Sequence, residues 1–409
     1  MPEVVVMVTT SYPRFPGDSV GTFMEPIAKG IAARGHQVHV VAPWHPLVAR
    51  AAIEDGVHFH FYKYAPVASL NVFGYAAAMK ADVSLKTAAL LSAPLALAAG
   101  WRTASRIARR HDATIMHGHW VIPGGVTAAA AAPGRPLVIS LHGSDVYVAE
   151  RLKPAGMAAR AALQRAGFVT ACSADLATRA VALGADSSRI AVIPYGVDAD
   201  RFRPDVEAAG RLRAEQSVPV DVPLIAAAGR LVRKKGFEYL IDALVLIPPA
   251  VLVLAGDGTL AAELRARAAS AGVADRVRFL GDRTHYQVAA LFAAADLIAI
   301  PSVRDDSGNV DGLPNVVMEA LASGTVLITT AAGGIASVVE HDRTAVVVAE
   351  RDAEALGLAI RRALGDPAMR KTVGAAARQL VQTRFGWQHT AELFESAYRH
   401  ALAFNSKRR

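Results

Sequence analysis

In the stretch "DDSGNVDGLPNVVMEALASGTVLI", residues 305 to 328, Asp311 stands just before a Gly-Leu-Pro turn and Glu319 follows with seven residues between, inside the apolar helix that comes next. A carboxylate can accept from two adjacent O–H donors at once, so a pair of them suits a polyol. Glu319, in the second turn, is positioned to accept both hydroxyls of a ribose, and Asp311, in the loop, the hydroxyls of a hexose. Pro314 fits the first helical turn, where its missing N–H costs nothing, and Gly312 lets another group approach the backbone closely. The amides of Leu313 and Asn315 then become donors for a phosphate or a sugar hydroxyl. Taken singly, Asp311 reads as a helix cap and Glu319 as an exposed helix residue; the polyol reading rests on the group as a whole.

Carboxylates beside a phosphate need opposing charge. The segment "AGRLVRKKGFEYLIDAL" supplies it: Arg230 leaves a strand end, and Lys235 sits just before a helix that begins near Gly236. A guanidinium that bridges two oxygens, an ammonium point charge and free helix amides make a site for a diphosphate. The bland alternative is a solvated basic loop.

These residues need a scaffold that brings strand ends together. Short apolar runs at 4–10, 38–43, 114–120, 136–143, 169–173 and 190–196 read as strands, with helical spacing in "GTFMEPIAKGIAARG", "RTASRIARRH" and "ADLATRAVALG" between them. The pattern restarts with strands at 224–229, 251–256, 277–281, 297–302, 326–330 and 345–349. Such alternation predicts an α/β chain of two doubly wound, Rossmann-like lobes with parallel sheets. The charged, proline-bearing stretch from Asp198 to Pro223 is the expected linker, giving domains at 1–197 and 198–386. Ligands of such sheets bind at the carboxyl ends of the strands, so two facing lobes are expected to form a cleft with loops from both.

Composition narrows the class. The chain has 409 residues, 53% hydrophobic and 20% charged, enough for substantial cores. The one cysteine, Cys172, excludes an internal disulfide and multi-thiolate metal sites. "MPEVVVMVTTSYP" has no basic leader before its apolar run, so a strand is expected there rather than a signal peptide, and the cytoplasm is the expected compartment. The longest uncharged apolar run, 88–101, is too short to span a bilayer and contains Pro94. A formal charge of +8 implies an anionic partner, either a phosphorylated substrate or a membrane surface. Nucleic acid is not expected, since no basic run with interleaved aromatics occurs.

The segments "AGRLVRKKGFEYLIDAL", "LAGDGTLAAELRARA", "DGLPNVVMEALASGTVLITTAAGG" and "IPYGVDADRFRP", with "GTFMEPIAKGIAARGHQVHVVAP" and "HGSD" in the amino half, resemble the retaining glycosyltransferases of family 4. Those are two-lobed enzymes of the GT-B architecture that use nucleotide-diphosphate sugars. The resemblance extends over nearly the whole chain, and it implies that the last segment, from about Trp387, packs back on the first domain. By that resemblance Arg230 and Lys235 bind the leaving diphosphate, Glu319 the ribose, and Asp311 with Gly312 and Leu313 the transferred sugar. Gly21 lets amides approach the distal phosphate or the acceptor, His142 of "LHGSDVY" reaches the donor sugar, and Asp145 orients that loop or meets the acceptor. The family's acidic pair is usually two glutamates; here Asp311 replaces the first, which bears on which sugar hydroxyl is held. Retention of configuration is implied, either with the departing phosphate taking the acceptor's proton or by double displacement.

The first domain is then expected to carry a saccharide or lipid-linked acceptor, with Tyr12, Arg14 and Phe15 of "SYPRFPGDSVGTF" touching it. Lys80, Lys86, Arg102, Arg106, Arg109 and Arg110 around apolar helices suit an anionic bilayer, or simply a solvated helix face. His117 and His119 share one face of a strand, yet packed side chains are the commoner use of such a pair, and "RDDSG" places Asp305 and Asp306 pointing apart. No metal and no cofactor are expected. The G-x-G-x-x-G turn of a dinucleotide-dependent oxidoreductase is missing after the first strand. A nucleotide-sugar epimerase or another GT-B enzyme, and a non-catalytic nucleotide-sugar binder, are the remaining alternatives.

Overall fold

The computed structural model describes residues 2–407 except 19, 72, 76–78, 82, 83, 86 and 248, and leaves aside the side chains at 69, 79–81, 84, 85, 87–91 and 144. The chain divides into two compact units, Met1–Tyr195 with Trp387–Arg409, and Gly196–Gly386.

In the first unit, valine-rich runs form β1 (Val4–Val8) and β2 (Gln37–Pro43), and β3 (Ile53–Glu54) and β4 (Val57–Tyr62) follow. A separate antiparallel pair, β5 (Met79–Ala81) and β6 (Ser84–Leu85), follows. Then come β7 (Ile115–His119), β8 (Leu137–Leu141), β9 (Phe168–Ala171) and β10 (Ile190–Val192). The main sheet runs β10-β9-β8-β7-β1-β2-β4-β3, parallel except for β3. Its helices are α1 (Met24–Ala33), α2 (Thr87–Arg110), α3 (Val126–Ala131), α4 (Ser144–Arg151), α5 (Lys153–Arg165) and α6 (Ala174–Ala182). Strands β7, β8 and β9 are buried along their whole length, as expected of a parallel sheet covered on both faces.

The strand pair β3–β4 was not legible in the sequence, because "VHFHFY" mixes histidine into its alternation. α2 is one continuous helix with Pro94 inside it, where the sequence implied an interruption.

In the second unit α7 (Val206–Glu215), capped by the Asp205 carboxylate on the Ala208 amide at 2.9 Å, precedes β11 (Leu224–Ala228). Then follow α8 (Phe237–Ala243), β12 (Val251–Ala255), α9 (Ala261–Ser270), β13 (Val277–Gly281), α10 (His285–Ala294) and β14 (Leu297–Ile300). The unit ends with α11 (Asn315–Ser323), β15 (Leu327–Thr330), β16 (Val346–Val348), α12 (Ala353–Gly365) and α13 (Pro367–Arg384). Its six strands are all parallel, in the order β13-β12-β11-β14-β15-β16. The order reverses between β11 and β14, the place where open α/β sheets leave a crevice at their carboxyl edge.

The last helix, α14 (Trp387–Ser406), belongs to the first unit. Phe394, Ala397, Tyr398 and Ala401 form a stripe at helical spacing that enters the same apolar cluster as Val5, Met7, Ile27 and Ile31. The Tyr398 hydroxyl lies 2.8 Å from His117 Nδ1, and Arg34 of α1's carboxyl end pairs with Glu395. Among the described residues no helix is long and apolar enough to cross a membrane.

Candidate active site

In the second unit, the loop after β11 carries the cations. Arg230 is exposed just past the strand, and a short turn over Arg233–Lys235 buries both Lys234 and Lys235 before α8 begins. Gly236 closes that turn at φ +66°, and a Cβ there would lie 2.0 Å from the Pro301 carbonyl oxygen, so only glycine fits. The Val303 amide donates to the Lys234 carbonyl at 2.9 Å, which ties this loop to the one following β14. The lysines therefore sit on the crevice between β11 and β14.

Asp311 comes to meet them. Its Oδ2 lies 2.6 Å from Lys235 Nζ and its Oδ1 3.1 Å from Lys234 Nζ. Burial alone would raise this carboxyl, but the two ammonium groups outweigh it and hold the group well below the usual carboxylate range. Gly312 and Leu313 are buried next to it, and Pro314 is the cap rather than the first residue of α11, with extended backbone. Asn315 opens the helix, so the first turn of α11 lies in the same loop region.

Glu319 is buried on α11. Burial pushes its carboxyl up to about 7, against the pull of Arg201 and Lys235. His285 Nε2 is 3.8 Å from its Oε1, held there by a capping box in which Thr284 and Gln287 start α10. Arg201 stacks over the Tyr286 ring at 4.8 Å, and its Nε finds no acceptor. The structure thus gathers Lys235, Asp311 and Glu319 into one electrostatic group and adds Lys234, Arg201 and His285, which sequence reasoning missed. Lys234 and Arg201 stood inside quoted motifs; His285 carried no signal. The Asp305 and Asp306 carboxylates are occupied locally, by the Ser307 and Asn309 amides and by Arg351 respectively.

In the first unit, the loop between β1 and α1 holds Arg14, whose guanidinium is clamped on the buried Asp18 carboxylate at 2.6 and 2.8 Å. Phe15 is half-buried with the Arg14 guanidinium 5.8 Å from its ring. Gly21, at φ +66°, lies before α1, and a Cβ there would press within 3.2 Å of Ser11 Oγ. Tyr12 corrects the expectation of an acceptor contact: it is fully buried, edge-on to Phe59 at 5.0 Å, because the chain turns this residue inward while Arg14 and Phe15 stay partly exposed.

His142 follows β8. Its Nδ1 lies 2.7 Å from the Tyr195 hydroxyl and its Nε2 3.1 Å from His119 Nδ1, while Phe23 packs on the ring at 4.8 Å. Burial keeps the imidazole well below its ordinary pKa, so it is neutral near pH 7. Asp145 orients this loop, one of the two roles expected of it. Its buried carboxylate accepts from the amides of Val121 (2.8 Å) and Gly143 (2.9 Å) and, at 3.4 Å, of His142, which uses it to shape the loop that carries His142. Trp120, beside that loop, adopts φ +61°, an uncommon conformation for a large residue. His117 Nε2 is 2.7 Å from Ser140 Oγ, and among the described residues no group of three His, Cys, Asp or Glu side chains is arranged to hold a metal. On α2, Arg102, Arg106, Arg109 and Arg110 are exposed, whereas Lys86 and the side chain of Lys80 lie outside the described residues.

The family described as "Glycosyltransferase Family 4" matches residues 20–201, and that described as "Glycosyl transferases group 1" matches residues 210–380. The GDP-mannose-dependent alpha-(1-6)-phosphatidylinositol monomannoside mannosyltransferase of Mycobacterium tuberculosis (strain ATCC 25618 / H37Rv) is 34% identical over 242 residues, 57% of this chain and 63% of that protein, so the match spans under two thirds of that relative's length. The teichuronic acid biosynthesis glycosyltransferase TuaC of Bacillus subtilis (strain 168) is 32% identical over 69% of this chain and 70% of its own. The crystal structure of Anabaena Alr3699/HepE in complex with UDP superposes with a TM-score of 0.76 over 96% of this chain and 98% of that one at 22% identity, which establishes a shared GT-B fold. With the acidic and basic loops placed at the sheet reversal and both halves matched, the chain belongs to the family 4 glycosyltransferases.

Proposed function

We propose that this protein transfers a hexosyl group, with retention of configuration, from a nucleotide-diphosphate sugar to a saccharide or lipid-linked acceptor. One observation carries the proposal: Lys235 pairs with Asp311 at 2.6 Å beside the buried Glu319, at the carboxyl edge where β11 and β14 diverge. The relatives named for mannosyl transfer from GDP-mannose and for teichuronic acid synthesis support the same class.

In this reading Arg230, Lys235 and the first-turn amides around Leu313 and Asn315 receive the diphosphate. Glu319 accepts the ribose hydroxyls, and Asp311 with Gly312 accepts the hydroxyls of the sugar. When the bond between sugar and diphosphate breaks, negative charge grows on the departing oxygen, and fixed cations stabilise that state more than the intact donor. The departing phosphate takes the acceptor's proton on the same face. His142, neutral and fixed by two hydrogen bonds, contacts the transferred sugar, while Gly21, Arg14 and Phe15 serve the phosphate and acceptor side.

The acceptor side supports a working place at the cytoplasmic surface of a membrane. On α2, Leu95 and Trp101 are exposed next to Arg102, Arg106 and Arg109, and with Lys63 they line a groove of about 790 Å³. Apolar and cationic groups together suit an anionic bilayer.

Calorimetry with uridine and guanosine diphosphates tests the donor site, and the anomeric configuration of the product, read by NMR, tests retention. Absence of heat with every nucleoside diphosphate, or product formed from donor alone without any acceptor, contradicts the proposal.

A further inference from the structure

Two consecutive lysines reach a single carboxylate. Neighbouring residues in a tight turn ordinarily point about 120° apart. Here Lys234 and Lys235 are both buried and take opposite oxygens of Asp311, at 3.1 and 2.6 Å. Burying a second ammonium group requires a gain that a surface lysine would not bring. Lys234 is also fixed through its backbone, where its carbonyl accepts from the Val303 amide. Lys235 has a second acidic neighbour as well, being close enough to Glu319 to pull on that carboxylate.

We infer that Lys234 is a positioning residue: it keeps the Asp311 carboxylate in place for the sugar hydroxyls when the donor's diphosphate draws Lys235 away. The inference rests on the donor-site reading above. The pair divides one task. A diphosphate in the loop competes with Asp311 for Lys235, because both are anions reaching for one ammonium group. Without a second cation, Asp311 would then be a buried carboxylate facing added negative charge, and would turn aside or take up a proton. In either case it would lose its capacity to accept from the sugar. Lys234, on the other oxygen, supplies the missing counter-charge and leaves the second oxygen to accept hydroxyls.

The test uses the full chain with Lys234→Met, close in length and neutral. Affinity for uridine and guanosine diphosphates is measured by calorimetry, and turnover is measured with whichever nucleotide sugar the wild type uses. Expected is a nucleoside diphosphate affinity within about threefold of wild type, with turnover of the nucleotide sugar reduced at least tenfold. Adding Asp311→Asn to Lys234→Met should reduce turnover by less than threefold more, although Asp311→Asn alone is severe. Lys234→Arg should restore most of the activity, which a mere packing role does not require and which also serves if the methionine variant fails to fold. A tenfold or greater loss of nucleoside diphosphate affinity in Lys234→Met, additive effects in the double variant, or an inactive folded Lys234→Arg overturns the inference and leaves the donor site standing. A wild-type chain that binds neither diphosphate removes the donor-site reading itself, and the inference with it.

Discussion

His142 Nε2 and His119 Nδ1 lie 3.1 Å apart, and the Tyr195 hydroxyl lies 2.7 Å from the other ring nitrogen of His142. A neutral imidazole has one N–H and one acceptor nitrogen, so these two neighbours jointly fix which nitrogen carries the proton. The Tyr195 ring stacks on Phe23 at 4.6 Å, and Tyr195→Phe keeps that ring while removing the hydroxyl. Loss of one such hydrogen bond is worth about 1 kcal/mol. Turnover should therefore fall by roughly fivefold with nucleoside diphosphate affinity unchanged, measured by initial rates beside calorimetry.

Lys235→Ala removes the cation assigned to the leaving group. Turnover should fall about 10²- to 10³-fold, as for other groups that stabilise developing charge. Asp311 keeps Lys234 as partner, so the unfolding temperature should move little. Full activity in this variant would remove Lys235 from the mechanism.

Glu319 links binding to stability. Its carboxyl is raised to about 7 from an ordinary 4.5, mainly by burial. The folded state thus holds the proton more firmly than the unfolded chain, and this contribution is complete below pH 4.5 and lost as pH rises through 7. At pH 8 the ion is buried at a cost of about 3 kcal/mol. Glu319→Gln should raise the unfolding temperature at pH 8 by a few degrees, and hardly at all at pH 4.5. The same variant should bind nucleoside diphosphates more weakly, and wild-type affinity should grow between pH 6 and 8 as the carboxylate ionises.

A second titrating group lies in the first unit. His39 is buried with its Nδ1 3.0 Å from His60 Nε2, and the rings of His58 and His111 pack at 4.7 and 4.1 Å. Burial first, and then the neighbouring histidines, depress His39 to about 3 and His60 to about 4; Arg106 and Arg110 add to the effect on His60. Both imidazoles are neutral in the fold, so stability is full above pH 6.5 and falls as pH drops toward 4. All four tryptophans, Trp44, Trp101, Trp120 and Trp387, lie in the first unit, so their fluorescence reports on it alone. Its thermal midpoint should drop markedly between pH 7 and 4.5, and His60→Gln should lessen that drop.

Membrane contact has its own test. Sedimentation with liposomes should require anionic lipid, weaken with salt and fall several-fold in Arg102→Glu/Arg106→Glu. Lipid-independent behaviour would leave the exposed face of α2 as a solvated surface.

Much of this was legible in the chain, and for a physical reason. Parallel strands covered on both faces must be continuous apolar runs, so β1, β8, β11 and β12 stand out in the sequence. Lys235 and Glu319 were legible because helix starts and glycine turns fix where a neighbouring side chain goes. Tyr12 was misread because a loop's length does not tell which of its residues turn inward. Asp145 was left between two roles, orienting the His142 loop or meeting the acceptor, because sequence cannot count the backbone amides that converge on a carboxylate. Lys234 was missed since adjacent residues are assumed to diverge, whereas here both ammonium groups reach the two oxygens of Asp311.

The return of α14 to the first unit has a consequence for biosynthesis. Phe394 and Tyr398 complete a core whose first strand is made about 390 residues earlier. On the ribosome, the second unit is a continuous insertion and can reach its native state while the N-terminal sheet still lacks its final cover. The maturing polypeptide is therefore exposed to chaperones and proteases on its oldest segment until the last turns emerge, and early termination near residue 386 would sacrifice the first unit rather than the second.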